Sequence, residues 1–288
     1  MHTPRFVAPT TVAEALRFIE SEPGAAILAG GTDLLVQYQG GSRRPSAFVD
    51  VKRIPELMQI AADVDGVTIG AAVPASDIAG HPAVRTWWPG LVEAVRLIGS
   101  TQIQSRSSLG GNLCNASPAA DSTCALIVND AVAIIAGANG ERRVAVGQFA
   151  TAPGKTTLKP GELLVAIRLP KPAARTADAY QRLIPRSEMD IAVACAAVSV
   201  TLDLTGVCTS ALVAIGAVAP TAIVVDDAVR ALVGSRLGAD ALERAADAAS
   251  AAARPIDDRR GPASYRRTVV GVLTKRVAAI AAARAKER

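Results

Sequence analysis

Leu28-Ala29-Gly30-Gly31-Thr32-Asp33 and Ser107-Ser108-Leu109-Gly110-Gly111-Asn112 are the two stretches on which this sequence turns. Each glycine pair follows or interrupts an apolar run, and each is flanked by Ser or Thr. Glycine lets backbone N–H groups converge on an anion because no Cβ stands in the way, and neighbouring hydroxyls add donors. Two such loops in one chain can grip a pyrophosphate from both sides, so together they read as a dinucleotide clamp. A single Gly-Gly is weak evidence, since tight turns use it constantly. Neither G-x-x-x-x-G-K-[ST] nor G-x-G-x-x-G occurs, which argues against a P-loop and a Rossmann fingerprint.

The surrounding pattern places the first pair. Thr11 with Glu14 makes a capping box, after which Val12, Leu16 and Ile19 recur on one helical face and Pro23-Gly24 stops the helix. Residues 25–29 read as a short buried strand and 34–38 as helix. The pair therefore sits between a strand end and a helix N-terminus, where unpaired N–H groups and the helix dipole favour an anion. Residues 48–51 and 67–73 read as strands. Leu91, Val95 and Ile98 form a helical stripe that ends at Gly99, just ahead of the second loop.

Farther along, residues 131–136, the Asn139-Gly140 turn and residues 142–146 read as a β-hairpin. Residues 163–169 add a strand before Pro170, and 171–176 are a candidate linker. Beyond it, 191–202 and 207–218 are long β-like runs joined at Asp203-Leu204-Thr205-Gly206. Two Ala-rich helices follow, at 240–253 and 264–285; Tyr265, Val269, Leu273, Val277 and Ile280 suit packing on a sheet. The order is α+β in three parts, with no internal repeat.

Composition bounds the rest. In 288 residues, half are apolar but only 3% aromatic, so the core is built from Ala, Val, Leu and Ile, and an aromatic platform for nucleic acid is not expected. The formal charge of +5 is modest, with acids between most of the Arg and Lys clusters, which reads as a solvated surface with no nucleic-acid partner. No apolar run approaches the roughly eighteen residues of a membrane span, and no basic segment leads into an apolar one at the N-terminus. Cys114, Cys124, Cys195 and Cys208 never form C-x-x-C, and they read as packed, reduced thiols of a cytoplasmic protein. With only His2 and His81, no metal site is expected.

The second loop runs on as Leu113-Cys114-Asn115-Ala116-Ser117-Pro118-Ala119-Ala120-Asp121-Ser122. Ser108, Asn112, Asn115 and Ser117 cluster as donors around a single carboxylate, Asp121. Like charges repel, so that carboxylate is expected to accept from ribityl or ribose hydroxyls, or to hold the loop's own N–H groups.

Several of these segments in this order resemble the FAD-binding medium subunit of the molybdenum hydroxylases, the xanthine dehydrogenase and carbon monoxide dehydrogenase group. The resemblance rests on Ala29-Gly30-Gly31-Thr32-Asp33-Leu34, Ile98-Gly99-Ser100-Thr101-Gln102-Ile103 and the stretch from Ser108 to Asp121. Pro185-Arg186-Ser187-Glu188-Met189-Asp190-Ile191-Ala192, Ser264-Tyr265-Arg266-Arg267 and Leu273-Thr274-Lys275-Arg276 extend it over the whole chain.

The resemblance implies a two-subdomain FAD-binding domain of the vanillyl-alcohol-oxidase (PCMH) type at 1–52 and 53–172. A C-terminal antiparallel sheet with packed helices would follow at 177–288. It implies that Ile27, Leu28, Ala29, Gly30, Gly31, Thr32, Asp33 and Leu34 cradle the FAD pyrophosphate with Ser108, Leu109, Gly110, Gly111 and Asn112. Thr101, Asn115 and Ser117 join them. Ile98 and Leu164 would line the flavin, Asp121 would hydrogen-bond the cofactor, and Arg182, where many relatives carry Lys, would meet flavin, phosphate or a partner.

Partner chains would carry two [2Fe–2S] clusters (a small subunit) and molybdopterin (a large one), in a dimer of heterotrimers. Electrons would pass through this chain to NAD, oxygen, a quinone or another carrier, with no acid–base residue of its own doing substrate chemistry. Gln104, in place of a frequent Arg, and Thr123-Cys124, in place of x-Pro, depart from the pattern. A self-sufficient flavin oxidoreductase with its own substrate pocket is the alternative.

Overall fold

The computed structural model describes residues 3–288; Met1 and His2, the latter one of the two histidines weighed above, lie outside the described residues. Three main sheets are each drawn from a separate stretch of chain. The first has three parallel strands in the order Arg5–Val7, Ala47–Asp50, Ala26–Leu28. Helix Val12–Ser21 makes the crossover that parallel strands require. Its N-cap is Thr11, whose hydroxyl accepts from the Glu14 N–H at 3.1 Å. The Glu14 carboxylate closes back on the Thr10 N–H at 2.8 Å instead of on Thr11, so the box spans two residues.

The second sheet is antiparallel, ordered Ile60–Asp63, Gly66–Gly70, Leu163–Pro170, Val132–Gly137, Gly140–Ala145. The expected hairpin is the pair Val132–Gly137 with Gly140–Ala145. The strand expected to reach residue 73 stops at Gly70. There the chain turns to pack on the second glycine loop, the Ala72 N–H bonding Leu57 O and Ala71 O accepting from Gly110. Short helices, among them Pro89–Val95 and Asp121–Ile127, cover this sheet with a fully buried Trp88, Leu91 and Leu126.

The third sheet, also antiparallel, runs Thr176–Leu183, Ala194–Leu202, Cys208–Gly216, Ile223–Val224. Helix Ala263–Lys286 packs on it, and helix Ala239–Ala252 packs on that helix. Small side chains make that close: a Cβ on Gly271 would stand 2.9 Å from Ala246 O. Of the apolar positions expected to face the sheet, Leu273 and Val277 are buried, Val269 and Ile280 are partly buried, and Tyr265 is about half exposed. Most of the expected linker is loop, but Thr176 already begins a strand.

Asp178 on strand Thr176–Leu183 ties this unit to the second. Its buried carboxylate accepts from the N–H groups of Gly90 (2.9 Å) and Leu91 (3.2 Å) and from Asn129 Nδ2 (2.8 Å). Three donors converge on one carboxylate at the start of helix Pro89–Val95, where the helix dipole favours negative charge.

A candidate FAD cavity between two glycine loops

Strand Ala26–Leu28 ends at the mouth of a cavity of about 670 Å³, within the range of small-molecule and cofactor sites. Ligands of open α/β sheets gather at such carboxyl ends of strands. The chain turns through residues 29–33 into helix Leu34–Gln39, with Gly31 at φ +75°. The N–H groups of Gly30, Gly31, Thr32, Asp33 and Leu34 donate to no acceptor among the described residues. Lys52 fixes this loop from behind, its Nζ donating to Ala29 O at 2.8 Å and to Asp50 Oδ1 at 2.6 Å.

The second loop is differently disposed. Ser108 caps helix Leu109–Asn115 by accepting from the Gly111 N–H at 3.1 Å. Asn112 N–H goes to Ser108 O and Gly110 N–H to Ala71 O. The expectation that both loops offer N–H groups to a pyrophosphate therefore needs correcting, because helix capping and Ala71 O have already used those of Gly110, Gly111 and Asn112. This loop instead presents the exposed backbone of Gly111 and the Ser107 hydroxyl, which is buried and has no hydrogen-bond partner. Asn112 Oδ1 accepts from Ser122 Oγ at 2.6 Å, which leaves its amide N–H groups free. Asn115 Oδ1 accepts from Gln37 Nε2 at 3.1 Å and so bridges the two helices that flank the cavity.

Two glycines are dictated by close approach. A Cβ on Gly30 would lie 1.8 Å from Arg106 O, and one on Gly110 would lie 2.4 Å from Ala71 O. Gly30 is thus where the two glycine loops touch. A Cβ on Gly111 would meet only Ser108 Oγ, at 3.2 Å.

Charge around the cavity favours an anion. Glu22 is paired with Arg5 (3.2 Å) and Glu162 with Arg142 (2.6 Å), the latter bond holding the Glu162 carboxyl down at about 2. Arg43 and Lys159 line the cavity with no ion-pair partner among the described residues. The one unpaired carboxylate is Asp33, which burial pushes above the usual range and so disposes to accept a hydroxyl or amine proton. Cys114, expected to be packed, is instead exposed and borders the cavity. Cys124, Cys195 and Cys208 are buried as expected.

Of the residues anticipated from sequence, Ile27, Ala29, Gly30, Gly31, Thr32, Asp33, Leu34, Ile98, Ser108, Gly110, Gly111, Asn112, Asn115 and Leu164 line this one cavity. Leu28 and Leu109 are core residues behind it. Ser117 Oγ accepts from the Ala119 N–H at 3.3 Å, shaping its own turn. Thr101 and Arg182 line a second, smaller cavity. Asp121 lines neither: its buried carboxylate accepts from Tyr180 Oη (3.0 Å) and Arg182 Nη1 (2.6 Å), so its oxygens hold protein donors. The acid that does face the large cavity is Asp33. Arg43, Ser107, Cys114 and Lys159 were not anticipated; Ser107 stood inside the quoted motif, whereas Arg43 and Lys159 come from loops with no pattern to mark them.

Residues 2–172 match the family model described as the FAD binding domain in molybdopterin dehydrogenase. The chain belongs to the FAD-binding medium subunits of the molybdenum hydroxylases. Residues 179–281 match the CO dehydrogenase flavoprotein C-terminal domain. The carbon monoxide dehydrogenase medium chain of Hydrogenophaga pseudoflava is 33% identical over 280 residues, 96% of each chain. A putative xanthine dehydrogenase FAD-binding subunit of Escherichia coli is 31% identical, covering 96% of this chain and 94% of its own. In the solved reconstituted CO dehydrogenase from Oligotropha carboxidovorans, a chain 32% identical superposes with a TM-score of 0.94 over 98% of both. The protein is accordingly an oxidoreductase subunit whose cofactor is FAD, and its α+β fold is that of the CO dehydrogenase medium chain.

The cavity suits that cofactor. FAD brings a pyrophosphate, which needs N–H and cationic donors, and ribose and ribityl hydroxyls, which need an acceptor. Residues 30–34, Ser107, Arg43 and Lys159 supply the first; Asp33 supplies the second.

Proposed function

We propose that this chain is the electron-exit subunit of a three-component molybdenum hydroxylase. The observation that carries the reading is the row of unspent donors at 30–34, set against the orphaned Ser107 hydroxyl across one cavity. Free N–H groups are costly to leave unmade, and a bound pyrophosphate satisfies several at once. Lys52 keeps the row in place, Gln37–Asn115 closes the cavity's flank, and Ile98 and Leu164 give its apolar wall for the ring system.

Bound FAD supplies the redox chemistry, accepting electrons from iron–sulfur clusters and passing them to an external acceptor. The chain's own residues bind, orient and shield the cofactor; none serves as acid or base toward a substrate. A small partner with two [2Fe–2S] clusters and a large molybdopterin partner, arranged as a dimer of heterotrimers in the cytoplasm, complete the reading. NAD, oxygen, a quinone or another carrier takes the electrons. The three sheets support a division at 1–52, 53–172 and 177–288.

Purified alone and loaded with FAD, the chain should reduce artificial dyes when given an artificial reductant. It should oxidise no aldehyde, N-heterocycle or carbon monoxide until partner subunits are added. Turnover of such a substrate by the isolated chain would replace this reading with a self-sufficient flavoenzyme.

A further inference from the structure

Two buried thiols meet where the second and third units pack together. Cys124, on helix Asp121–Ile127, and Cys195, on strand Ala194–Leu202, hold their sulfurs 3.9 Å apart, and both residues are fully buried. Neither lines the FAD cavity. The other two cysteines are placed differently: Cys208 Sγ donates to Ser210 O at 3.2 Å, and Cys114 is exposed at that cavity.

The chain is shaped around this contact. Cys195 pairs in register with Gly216 of the neighbouring strand. A Cβ on Gly216 would stand 2.7 Å from Cys195 Sγ and 2.9 Å from Cys124 Sγ, so the missing side chain leaves the space in which the two sulfurs meet. The backbone there does not itself require glycine, since its φ is not left-handed. Directly after it, the Ala217 N–H donates to Pro118 O at 2.7 Å, which fastens the strand end to the turn that leads into helix Asp121–Ile127. Two cysteines 71 positions apart in sequence are thereby held side by side.

A disulfide needs its sulfurs at about 2.05 Å, so this pair must close by about 1.9 Å, a shift that rotation about the two Cα–Cβ bonds can share. We propose that Cys124 and Cys195 are a peroxide-oxidisable pair whose disulfide locks the third unit to the second. One thiol attacks hydrogen peroxide, the O–O bond breaks, and a sulfenic acid and one water result. The other thiol then displaces the sulfenic oxygen, forming the S–S bond and a second water. Two thiols lose two hydrogens and two electrons, and one peroxide is reduced to two waters. The contact with Cys195 and burial hold the Cys124 thiol well above its ordinary range, so the pair stays reduced until a small, uncharged oxidant reaches it. The lock lies outside the FAD cavity and is independent of the electron-exit reading.

The test uses the full chain loaded with FAD, kept in the dark and treated with hydrogen peroxide. Peptide mapping without reductant should find Cys124 linked to Cys195. The urea midpoint should rise by about 1 M, the scale of a disulfide that closes a long loop over an ordinary urea slope, and dithiothreitol should reverse the rise. Cys195→Ala should lose both the link and the rise, leaving a Cys124 sulfenic acid that dimedone traps. Cys208→Ala, which removes a thiol with no sulfur neighbour, should keep both.

Unlinked Cys124 and Cys195 after peroxide, a link to Cys114 or Cys208 in their place, or a link that forms only once urea is added would overturn the proposal. Linkage that leaves the midpoint where it was, or a rise that persists in Cys195→Ala, would overturn it as well. The map and the reversal by dithiothreitol are read on the natural chain, so they decide even where a variant folds poorly.

Discussion

Gly30→Ala offers the sharpest mechanical test of the clamp, because the two glycine loops touch at that residue. The new Cβ would stand 1.8 Å from Arg106 O and 2.4 Å from Arg106 C, both backbone atoms. Ordinary contact begins at 3.4 Å, so the loops must part by about 1.6 Å. No rotamer relieves this, since neither partner is a side chain. Overpacking of this kind costs about 1–3 kcal/mol of stability. Parting the loops also draws the 30–34 donors away from the Ser107 side of the cavity. Losing even one charge-assisted bond to phosphate should raise the FAD dissociation constant about tenfold or more.

Gly80→Ala, away from the cavity, is the matched control. Its Cβ would meet nothing within 4 Å, so the loops stay together. Urea unfolding and FAD titration by flavin fluorescence read both effects. A Gly30→Ala chain with wild-type midpoint and FAD affinity would refute the reasoning.

Other consequences follow from the same contacts. Lys52→Met removes the bond to Ala29 O and should weaken FAD about tenfold while the chain stays folded, as read by equilibrium dialysis. Tyr180→Phe should cost about 1 kcal/mol in urea unfolding, whereas Arg182→Ala, which strands a buried carboxylate, should cost about 3–5 kcal/mol; equal values would count against a buried pair at Asp121. Cys114 borders the cavity, so FAD should slow its alkylation by a maleimide, and equal rates with and without FAD would place the cofactor elsewhere.

Asp178 carries a pH prediction. Burial lifts its carboxyl from 3.8 to about 6, so between these values the folded chain binds the proton that the unfolded chain has released. Its contribution is full below pH 3.8 and declines as pH rises through 6, by order 2–3 kcal/mol. Urea midpoints measured from pH 4 to 7 should show that fall, and Asp178→Asn should flatten it.

Where local chemistry decided the structure, the sequence was legible. Alternation and the Asn139-Gly140 turn marked the hairpin, Ala-rich periodicity marked the two C-terminal helices, and the glycine pairs marked the cavity. What escaped depends on long-range contact. The N–H groups of the second loop look like those of the first in sequence, yet helix capping and Ala71 claim them. Nothing in the sequence near Asp121 marks the Tyr180 and Arg182 donors that strand Thr176–Leu183 brings against it. Arg43 and Lys159 became part of the site only because two loops fold over one cavity.

As the proposed outlet of an electron relay, this chain should hold FAD in the company of its partners. Purification from the native source under non-denaturing conditions, followed by the visible spectrum and identification of co-eluting chains, tests it most directly. The prediction is flavin absorption together with iron–sulfur absorption, and one small and one larger partner. A yellow chain that elutes alone and oxidises a substrate unaided, or a colourless chain that takes up no FAD, would contradict it.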